Sequence, residues 1–379
     1  MNILTINYEY PPLGGGGGIS HKKLVDQWLI DNKVILITTS FDKQKQYETK
    51  DNMEIYRVNC LRKKRFSANF ISLLLFPWQA YRILVKIKKK SFDIINAHFT
   101  VPSGIVGVWA KKMFNIPLVI SIHGGDIYDP SKRTSPHRLP IVKNIVRWVL
   151  NSADIVVAQS NNTIKNSKKY YDFSTPTLSI PLPYDTRQLI SRKKKDDFTF
   201  IAVGRLVKRK AYDDLLKAFK IVVDDTPNVK LIIIGDGPEK KVLDNIIIDY
   251  DLVNKVLLAG YLSEEEKFIK LLESHCFVLS SSHEGFGIVL QEAIECRLPI
   301  VATNNGGHTD FLKHGRNAEL VPIGQPELLA QAMNKIVTNK DVGTKYISRY
   351  NEILENFKTE KVSEEYLNIF KKLNQTHEK

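Results

Sequence analysis

The stretch Cys276-Phe277-Val278-Leu279-Ser280-Ser281-Ser282-His283-Glu284-Gly285-Phe286-Gly287-Ile288-Val289-Leu290-Gln291-Glu292-Ala293 reads as a strand, a turn and a helix. Cys276–Ser280 is a short apolar run that fits a strand buried on both faces. Ser281, Ser282 and His283 are polar and mark the turn. Gly285 and Gly287 free the backbone to approach a ligand, and a helix opens after them with unpaired N–H groups at its start. Glu284 falls in the loop, and Glu292 follows about two helical turns later. A charged acceptor strengthens each hydrogen bond to a sugar hydroxyl. Two scattered surface glutamates would account for the carboxylates, but not for their place in a strand–Glu-Gly-Phe-Gly–helix order.

The same alternation extends in both directions. Apolar runs at Asn2–Tyr8, Lys33–Thr39, Phe92–Ala97, Leu118–Ile122 and Asp154–Ala158 read as strands of a first half. Runs at Phe198–Val203, Lys230–Ile234, Val256–Ala259, Pro299–Ala302 and Ala318–Val321 join Cys276–Ser280 in a second. Helical patterns such as Asp213–Val223 lie between them. Strand and helix in alternation predict parallel sheets covered on both faces. Between Ser179 and Asp197, Pro181, Pro183 and the charged run Arg192-Lys193-Lys194-Lys195-Asp196-Asp197 mark an exposed break. The expectation is α/β: a Rossmann-like domain over residues 1–185, a second over 196–355, and a C-terminal helix from about 356 to 379 that packs back on the first.

At 379 residues the chain is long enough for two domains, and its 43% hydrophobic and 25% charged residues are ordinary for a globular protein. No run approaches the ~20 apolar residues that span a bilayer. The N-terminus lacks a basic segment followed by an apolar one, so no signal peptide is expected. Three widely spaced cysteines, Cys60, Cys276 and Cys296, fit a reducing cytoplasm. Residues 1–195 hold 31 Lys and Arg against 13 Asp and Glu, a net +18, while the remainder carries −4. That asymmetry fits an anionic partner of the first half, or simply a lysine-rich solvated surface.

Other turns fall on the edge where open α/β sheets bind ligands. The second half opens with Val203-Gly204-Arg205, and Lys210 follows at the next helix; two cations there suit a diphosphate. Gly235-Asp236-Gly237-Pro238 is another tight strand-to-helix turn, with Pro238 expected at the first helical position. The first strand runs into Gly14-Gly15-Gly16-Gly17-Gly18, with a helix expected from about Ile19. This run fits an anion site or a flexible turn. A dinucleotide fingerprint fails, because Ile19 and Ser20 stand where its third glycine belongs and Thr38-Thr39-Ser40 lacks the acidic residue after the second strand. His123 ends an apolar strand before Gly124-Gly125-Asp126. His98 also ends a strand, where lining a site and packing remain equal readings.

Taken in order, His123-Gly124-Gly125-Asp126, Val203-Gly204-Arg205 with Lys210, Gly235-x-Gly237-Pro238 and Glu284-x7-Glu292 resemble the retaining glycosyltransferases of family 4, over nearly the whole chain. The resemblance implies the GT-B fold, two Rossmann-like doubly wound domains facing a central cleft. It implies a nucleotide-sugar donor, with UDP favoured as the commonest base, and no cofactor or metal. Arg205 and Lys210 would hold the diphosphate, Glu284 the donor-sugar hydroxyls and Glu292 the ribose. Backbone amides of Gly285, Phe286, Gly287, Ile288 and Val289 would contact sugar and phosphate. Gly237, Pro238 and Tyr261 would border the base, and Gly17 and Gly18 would lie near the β-phosphate. His123 would face the donor sugar and Asp126 the acceptor. Catalytic roles would fall to His123, Glu284, Arg205 and Lys210. Two features depart from the family pattern: the glycine run is longer than its usual pair, and His308 in Thr303-Asn304-Asn305-Gly306-Gly307-His308 stands where proline is common.

Residues 62–90 set Phe66, Phe70, Phe76, Trp78 and Tyr81 among Arg62, Lys63, Lys64, Arg65, Lys86, Lys88, Lys89 and Lys90. This suits an anionic membrane interface, or a helix with a basic outer face packed on the first sheet. A lipid-linked or glycan acceptor in envelope polysaccharide assembly, at the inner face of the cell membrane, would fit the former. Asp249-Tyr250-Asp251 spells a metal–nucleotide signature of a different fold and is expected to be coincidental. Two other functions remain as alternatives: an NAD-dependent dehydrogenase, which the glycine spacing disfavours, and a basic nucleic-acid-binding protein, for which no recognised module is present.

Overall fold

A computed structural model describes residues 1–62, 69–190 and 192–377. The chain forms two units: Met1–Asp185 together with Phe357–Lys379, and Thr186–Asn356.

The first unit holds β1 (Asn2–Asn7), β2 (Lys33–Thr39), β3 (Tyr47–Lys50), β4 (Met53–Val58), β5 (Ile94–His98), β6 (Leu118–Ile122), β7 (Ile155–Ala158) and β8 (Thr177–Ser179). Their order is β3-β4-β2-β1-β5-β6-β7-β8, parallel except for the β3–β4 hairpin. Alternate strand residues point to opposite faces, and both faces are apolar. Leu4, Ile6, Ile35, Ile37, Ile95 and Ile120 pack under one helical layer. Ile3, Val34, Leu36, Ile94 and Val119 pack under the other, against Trp28 of the helix Gly16–Trp28 and Tyr366 and Phe370 of the helix Thr359–His377. The Trp28 and Phe370 rings meet edge to face at 5.3 Å, so the last helix closes the sheet that the first residues opened.

Three strands escape the sequence reading. β3 is exposed along its whole length and β8 has only three residues, so neither carries an apolar run. β4 is the partner that β3 needs, joined through Asp51 at φ 50°. The first helix starts at Gly16 rather than Ile19, so three of the glycines form its first turn.

The second unit holds β9 (Phe198–Val203), β10 (Val229–Ile234), β11 (Val256–Gly260), β12 (Cys276–Leu279), β13 (Ile300–Thr303) and β14 (Glu319–Val321). They form one parallel sheet in the order β11-β10-β9-β12-β13-β14. The order reverses direction at β9, so the loops after β9 and β12 leave the same edge side by side. The expected doubly wound α/β architecture is therefore present in each unit.

Candidate functional site

In the second unit the site is a set of neighbouring loops stitched together by backbone. After β9, a short helical turn at Lys208–Lys210 precedes the helix Tyr212–Asp225. The Lys210 carbonyl accepts from Ser280 Oγ at 2.8 Å, and the Arg209 carbonyl accepts from the Ser282 N–H at 2.8 Å. The loop after β13 locks on from the other side. Gly307 N–H donates to Glu284 O at 2.9 Å, Asn305 Nδ2 to Ser282 O at 2.7 Å, and Thr303 Oγ1 to Ser281 O at 2.5 Å. A Cβ on Gly306 would come within 2.8 Å of the Glu284 carbonyl oxygen, so glycine is needed for that approach.

Glu284 is 6% exposed. Its Oε1 accepts from Lys210 Nζ at 2.5 Å and Ser281 Oγ at 2.8 Å, with Arg209 3.7 Å from Oε2. Burial alone would raise its pKa, but Lys210 and Arg209 outweigh it and hold the carboxyl at about 2. Glu292 differs. Its Oε1 accepts from Lys267 Nζ at 2.8 Å, while its buried Oε2 has no partner. Burial dominates and raises Glu292 above the ordinary carboxylate range in spite of Lys267. Glu284 is thus a fixed anion, and Glu292 keeps one buried oxygen unpaired.

Arg205 is exposed and carries no ion pair among the described residues, in contrast to the engaged Lys210. Gly235 and Gly237 have a packing reason: a Cβ on either would come within 1.9 Å of Gly204 O or 2.3 Å of Leu206 O. Pro238 sits in the turn before the helix Lys240–Asp249, two residues short of its expected place. Tyr261 follows β11 and is exposed. Gly287, at φ 98°, caps the helix Ile288–Glu295, so its conformation starts the helix that carries Ile288, Val289 and Glu292. Phe286 is buried against Phe311 at 5.3 Å, which leaves its backbone as the usable part. His308 donates its Nε2 proton to the Thr303 carbonyl at 2.6 Å, a bond proline could not make. Lys267, Arg209 and Ser281 were not foreseen. Lys267 pairs with a glutamate 25 residues away, a separation no sequence pattern encodes.

In the first unit, His98, His123 and the glycine turn meet at the same edge of their own sheet. A Cβ on Gly17 would sit 3.2 Å from His123 Nδ1, whereas one on Gly18 would strike the Glu9 carbonyl oxygen at 2.2 Å. Gly17 therefore faces the site residue and Gly18 serves the turn's own packing. His123 Nε2 lies 2.9 Å from His98 Nδ1, and His123 Nδ1 is buried without a partner. Burial depresses His123 to about 4, so it is neutral at pH 7. Asp126 spends its oxygens on backbone: Oδ1 accepts from His123 N–H at 2.8 Å and Oδ2 from Thr100 N–H at 2.9 Å. Burial raises its carboxyl to about 6.

Within residues 62–90, the helix Phe70–Lys86 leaves Phe70, Ile71, Leu74, Trp78, Tyr81 and Val85 exposed. Lys63, Lys64, Arg65 and Phe66 lie outside the described residues. Two expectations are corrected. Arg62 is not a surface cation: its buried guanidinium pairs with Glu9 at 3.3 Å and lies 4.7 Å over the Tyr8 ring. Phe76 faces the core at 0% exposure. Among the described residues no helix is long and apolar enough to cross a membrane, and no His, Cys, Asp and Glu cluster could hold a metal ion.

Comparison with known proteins matches residues 15–188 to Glycosyltransferase Family 4 and residues 185–353 to Glycosyl transferases group 1. The 2-deoxystreptamine N-acetyl-D-glucosaminyltransferase of Niallia circulans is 25% identical over 375 residues, covering 91% of this chain and 94% of the relative. In structure, the chain is similar to sucrose-phosphate synthase from Thermosynechococcus elongatus, with a TM-score of 0.82 at 19% identity, covering 99% of this chain and 100% of that one. It is also similar to Anabaena Alr3699/HepE in complex with UDP and glucose, with a TM-score of 0.77 at 19% identity, covering 98% and 100%. The dehydrogenase and nucleic-acid readings find no support in these matches. With its two doubly wound sheets, its paired glutamates and both halves matched, the chain belongs to the family 4, group 1 glycosyltransferases and is a glycosyltransferase of GT-B fold.

Proposed function

We propose that the chain transfers a sugar, with retention of configuration, from a UDP-sugar to a glycan or lipid-linked acceptor in cell-envelope polysaccharide assembly. The observation that carries this reading is the gathering of Arg205, Lys210, Glu284 and Glu292 on one edge of one sheet, with Glu292 Oε2 buried and unpaired. A nucleotide sugar offers what such an edge recognises: a dianionic link, ribose hydroxyls and sugar hydroxyls. Arg205 takes the diphosphate directly. Lys210 shares its charge with Glu284, so it fixes the sugar-binding carboxylate as well as facing the phosphate. Glu292 Oε2 accepts from the ribose, and the amides of Gly285 to Val289 approach sugar and phosphate. Gly237, Pro238 and Tyr261 border the base. In the first unit Gly17 and Gly18 serve the β-phosphate and His123 the sugar. Asp126, engaged with the backbone of Thr100 and His123, reaches the acceptor side through what it holds in place.

Held by Lys210, Glu284 acts as an orienting anion rather than a nucleophile. The leaving diphosphate would take the acceptor's proton while attack occurs on the same face. Catalysis is then positioning and stabilisation of developing phosphate charge by Arg205, Lys210 and helix-start amides. The cationic side chains supply the charge that a metal would, so activity should persist in EDTA.

Donor turnover across a panel of UDP-, GDP- and ADP-sugars tests this directly. Activity with a UDP-sugar is expected, and Glu292→Ala should raise the donor KM more than it lowers kcat. Activity confined to another base would overturn the UDP assignment. The exposed face of Phe70–Lys86, with Lys88 and Lys89 exposed beyond it, supports peripheral contact with an anionic leaflet from the cytoplasmic side. Sedimentation with anionic but not neutral liposomes, lost as salt rises, is the expected result. No sedimentation at low salt would point to a soluble glycan acceptor.

A further inference from the structure

Two buried histidines and the half-buried His123, from separate elements, form a chain in the first unit, and its bonds fix where the protons sit. Glu9 N–H donates to Asn7 Oδ1 at 2.8 Å, which turns the Asn7 amine toward His21 Nδ1 at 2.9 Å. His21 therefore carries its proton on Nε2, which lies 2.9 Å from Thr5 Oγ1, and the Thr5 hydroxyl passes the chain on to the Asn96 carbonyl at 3.1 Å. The His21 ring stacks on His98 with centroids 3.8 Å apart. His98 is 1% exposed, and its Nδ1 lies 2.9 Å from His123 Nε2.

His123 is braced on every other side. Asp126 holds its N–H at 2.8 Å, Gln159 Nε2 donates to its carbonyl at 2.6 Å, and the Phe99 ring lies 4.4 Å from its own. Only Nδ1, facing Gly17, lacks a partner. The two neutral rings can share their hydrogen bond in two ways. If His123 donated, His98 would need its proton on Nε2, a buried N–H with no acceptor in the enclosed interior. Each arrangement leaves one unpaired N–H, and it is costlier on His98, 1% exposed, than on the half-buried His123. If His98 donates, the deep Nε2 holds only a lone pair, and the unpaired N–H falls on His123 Nδ1 beside the glycine turn.

We propose that His98 is a positioning residue: its Nδ1–H donates to His123 Nε2 and fixes His123 as the Nδ1–H tautomer, an uncharged hydrogen-bond donor presented past Gly17 to a substrate oxygen. This rests on the reading that His123 faces the donor sugar. It makes His123 a donor rather than a base through Nδ1, consistent with the leaving diphosphate taking the acceptor's proton. The stack with His21 keeps the His98 ring in the plane that the bond requires.

Protein labelled with 15N-histidine reports the tautomer without any substrate, so this test stands apart from the assigned activity. The expected spectrum has a protonated His123 Nδ1 and a bare Nε2, assigned by the loss of signals in His123→Asn. The reverse pattern overturns the proposal. His98→Asn places an amide N–H where Nδ1 was and should keep that spectrum and kcat within about threefold. His98→Phe keeps an aromatic ring beside His21 but removes the donor; kcat on the active UDP-sugar should fall about 10-fold or more at unchanged donor KM, as losses of 10- to 100-fold follow removal of the partner that orients a metal-ligating imidazole. Equal losses in both variants with the tautomer unchanged would assign His98 to packing alone.

Discussion

The two units solve the same problem, loops at one edge of a parallel sheet, with opposite electrostatics. The edge of the first unit is built from imidazoles kept neutral by burial: His21 lowered to about 3, His123 to about 4, and His98 also lowered, with Asp126 raised to about 6. The edge of the second unit is built from ion pairs, Glu284 with Lys210 and Glu292 with Lys267. Neutral rings suit hydroxyl recognition, and paired charges suit a diphosphate beside a sugar. Net charge runs the other way: the +18 lies in residues 1–195, and the ion pairs of Glu284 and Glu292 lie in the half carrying −4. Surface charge counts therefore describe what a unit attracts, not what its site contains.

The contrast breaks most sharply at Glu284. Removing one member of a buried pair leaves the other charge uncompensated, which costs about 3–5 kcal/mol. Glu284→Ala should therefore destabilise the second unit, seen as faster hydrogen exchange of β12 and Ile288–Glu295 amides, and lower turnover on the order of a hundredfold or more. Glu284→Gln, which retains an oxygen toward Ser281 and Lys210, separates the effects by keeping more of the fold than of the activity. Near-wild-type turnover in both variants would remove Glu284 from the site.

Acid should distinguish the units next. A histidine whose folded pKa is depressed stays neutral in the fold but takes a proton on unfolding once the pH is below its ordinary 6.5. The stability it contributes is complete above about 6.5 and declines as pH falls toward its folded value. Asp126 opposes this: its cost is present above pH 6 and is relieved on the way to its ordinary 3.8. The lowered His21, His98 and His123 against the raised Asp126 leave a net loss of stability as the pH falls from 6 to 5. In the second unit Glu284 contributes stability that is lost only below its ordinary 4.5, toward 2, while the lowered His308 and raised Glu292 oppose each other. All four tryptophans, Trp28, Trp78, Trp109 and Trp148, belong to the first unit, so their fluorescence follows it alone. A tryptophan-detected melting point unchanged from pH 6.5 to 5 would mean that these histidines are charged in the fold.

Much of the fold was legible in the sequence, and the limits are physical. The eleven apolar runs mark strands because a sheet covered on both sides must be apolar on both sides. The edge strands β3 and β8 escaped because one is exposed and the other has three residues, and β4 escaped because its inner residues Tyr56 and Val58 are interrupted by Glu54 and Arg57. The sequence places Glu284, Lys210 and His123 in loops after strands and Glu292 on the helix that follows. Their electrostatics were not legible, because Lys210 meets Glu284 across 74 residues and His98 meets His123 across 25. Arg62 shows the converse: the charged run at 62–65 reads as surface, yet its first member is buried against Tyr8 and Glu9.

The smallest effect sharpens the comparison within the second unit. Arg205 and Lys210 fall five residues apart and read alike in sequence, yet Lys210 is buried in an ion pair and Arg205 is exposed. Arg205→Ala removes no buried partner, so stability should change by less than about 0.5 kcal/mol. A charge-assisted bond to phosphate contributes roughly 1.5–3 kcal/mol, so UDP should bind about 10- to 100-fold more weakly while uridine binding is unchanged. Lys210→Ala should lose UDP binding and also lower the melting point, because it strands Glu284. Titration calorimetry with UDP and uridine, beside thermal denaturation of each variant, reads both differences. If Arg205→Ala weakens UDP and uridine equally, the guanidinium shapes the turn rather than the phosphate site. If Lys210→Ala melts like the wild type, the Lys210–Glu284 pair contributes nothing to stability, and the division between charged and neutral edges loses its strongest member.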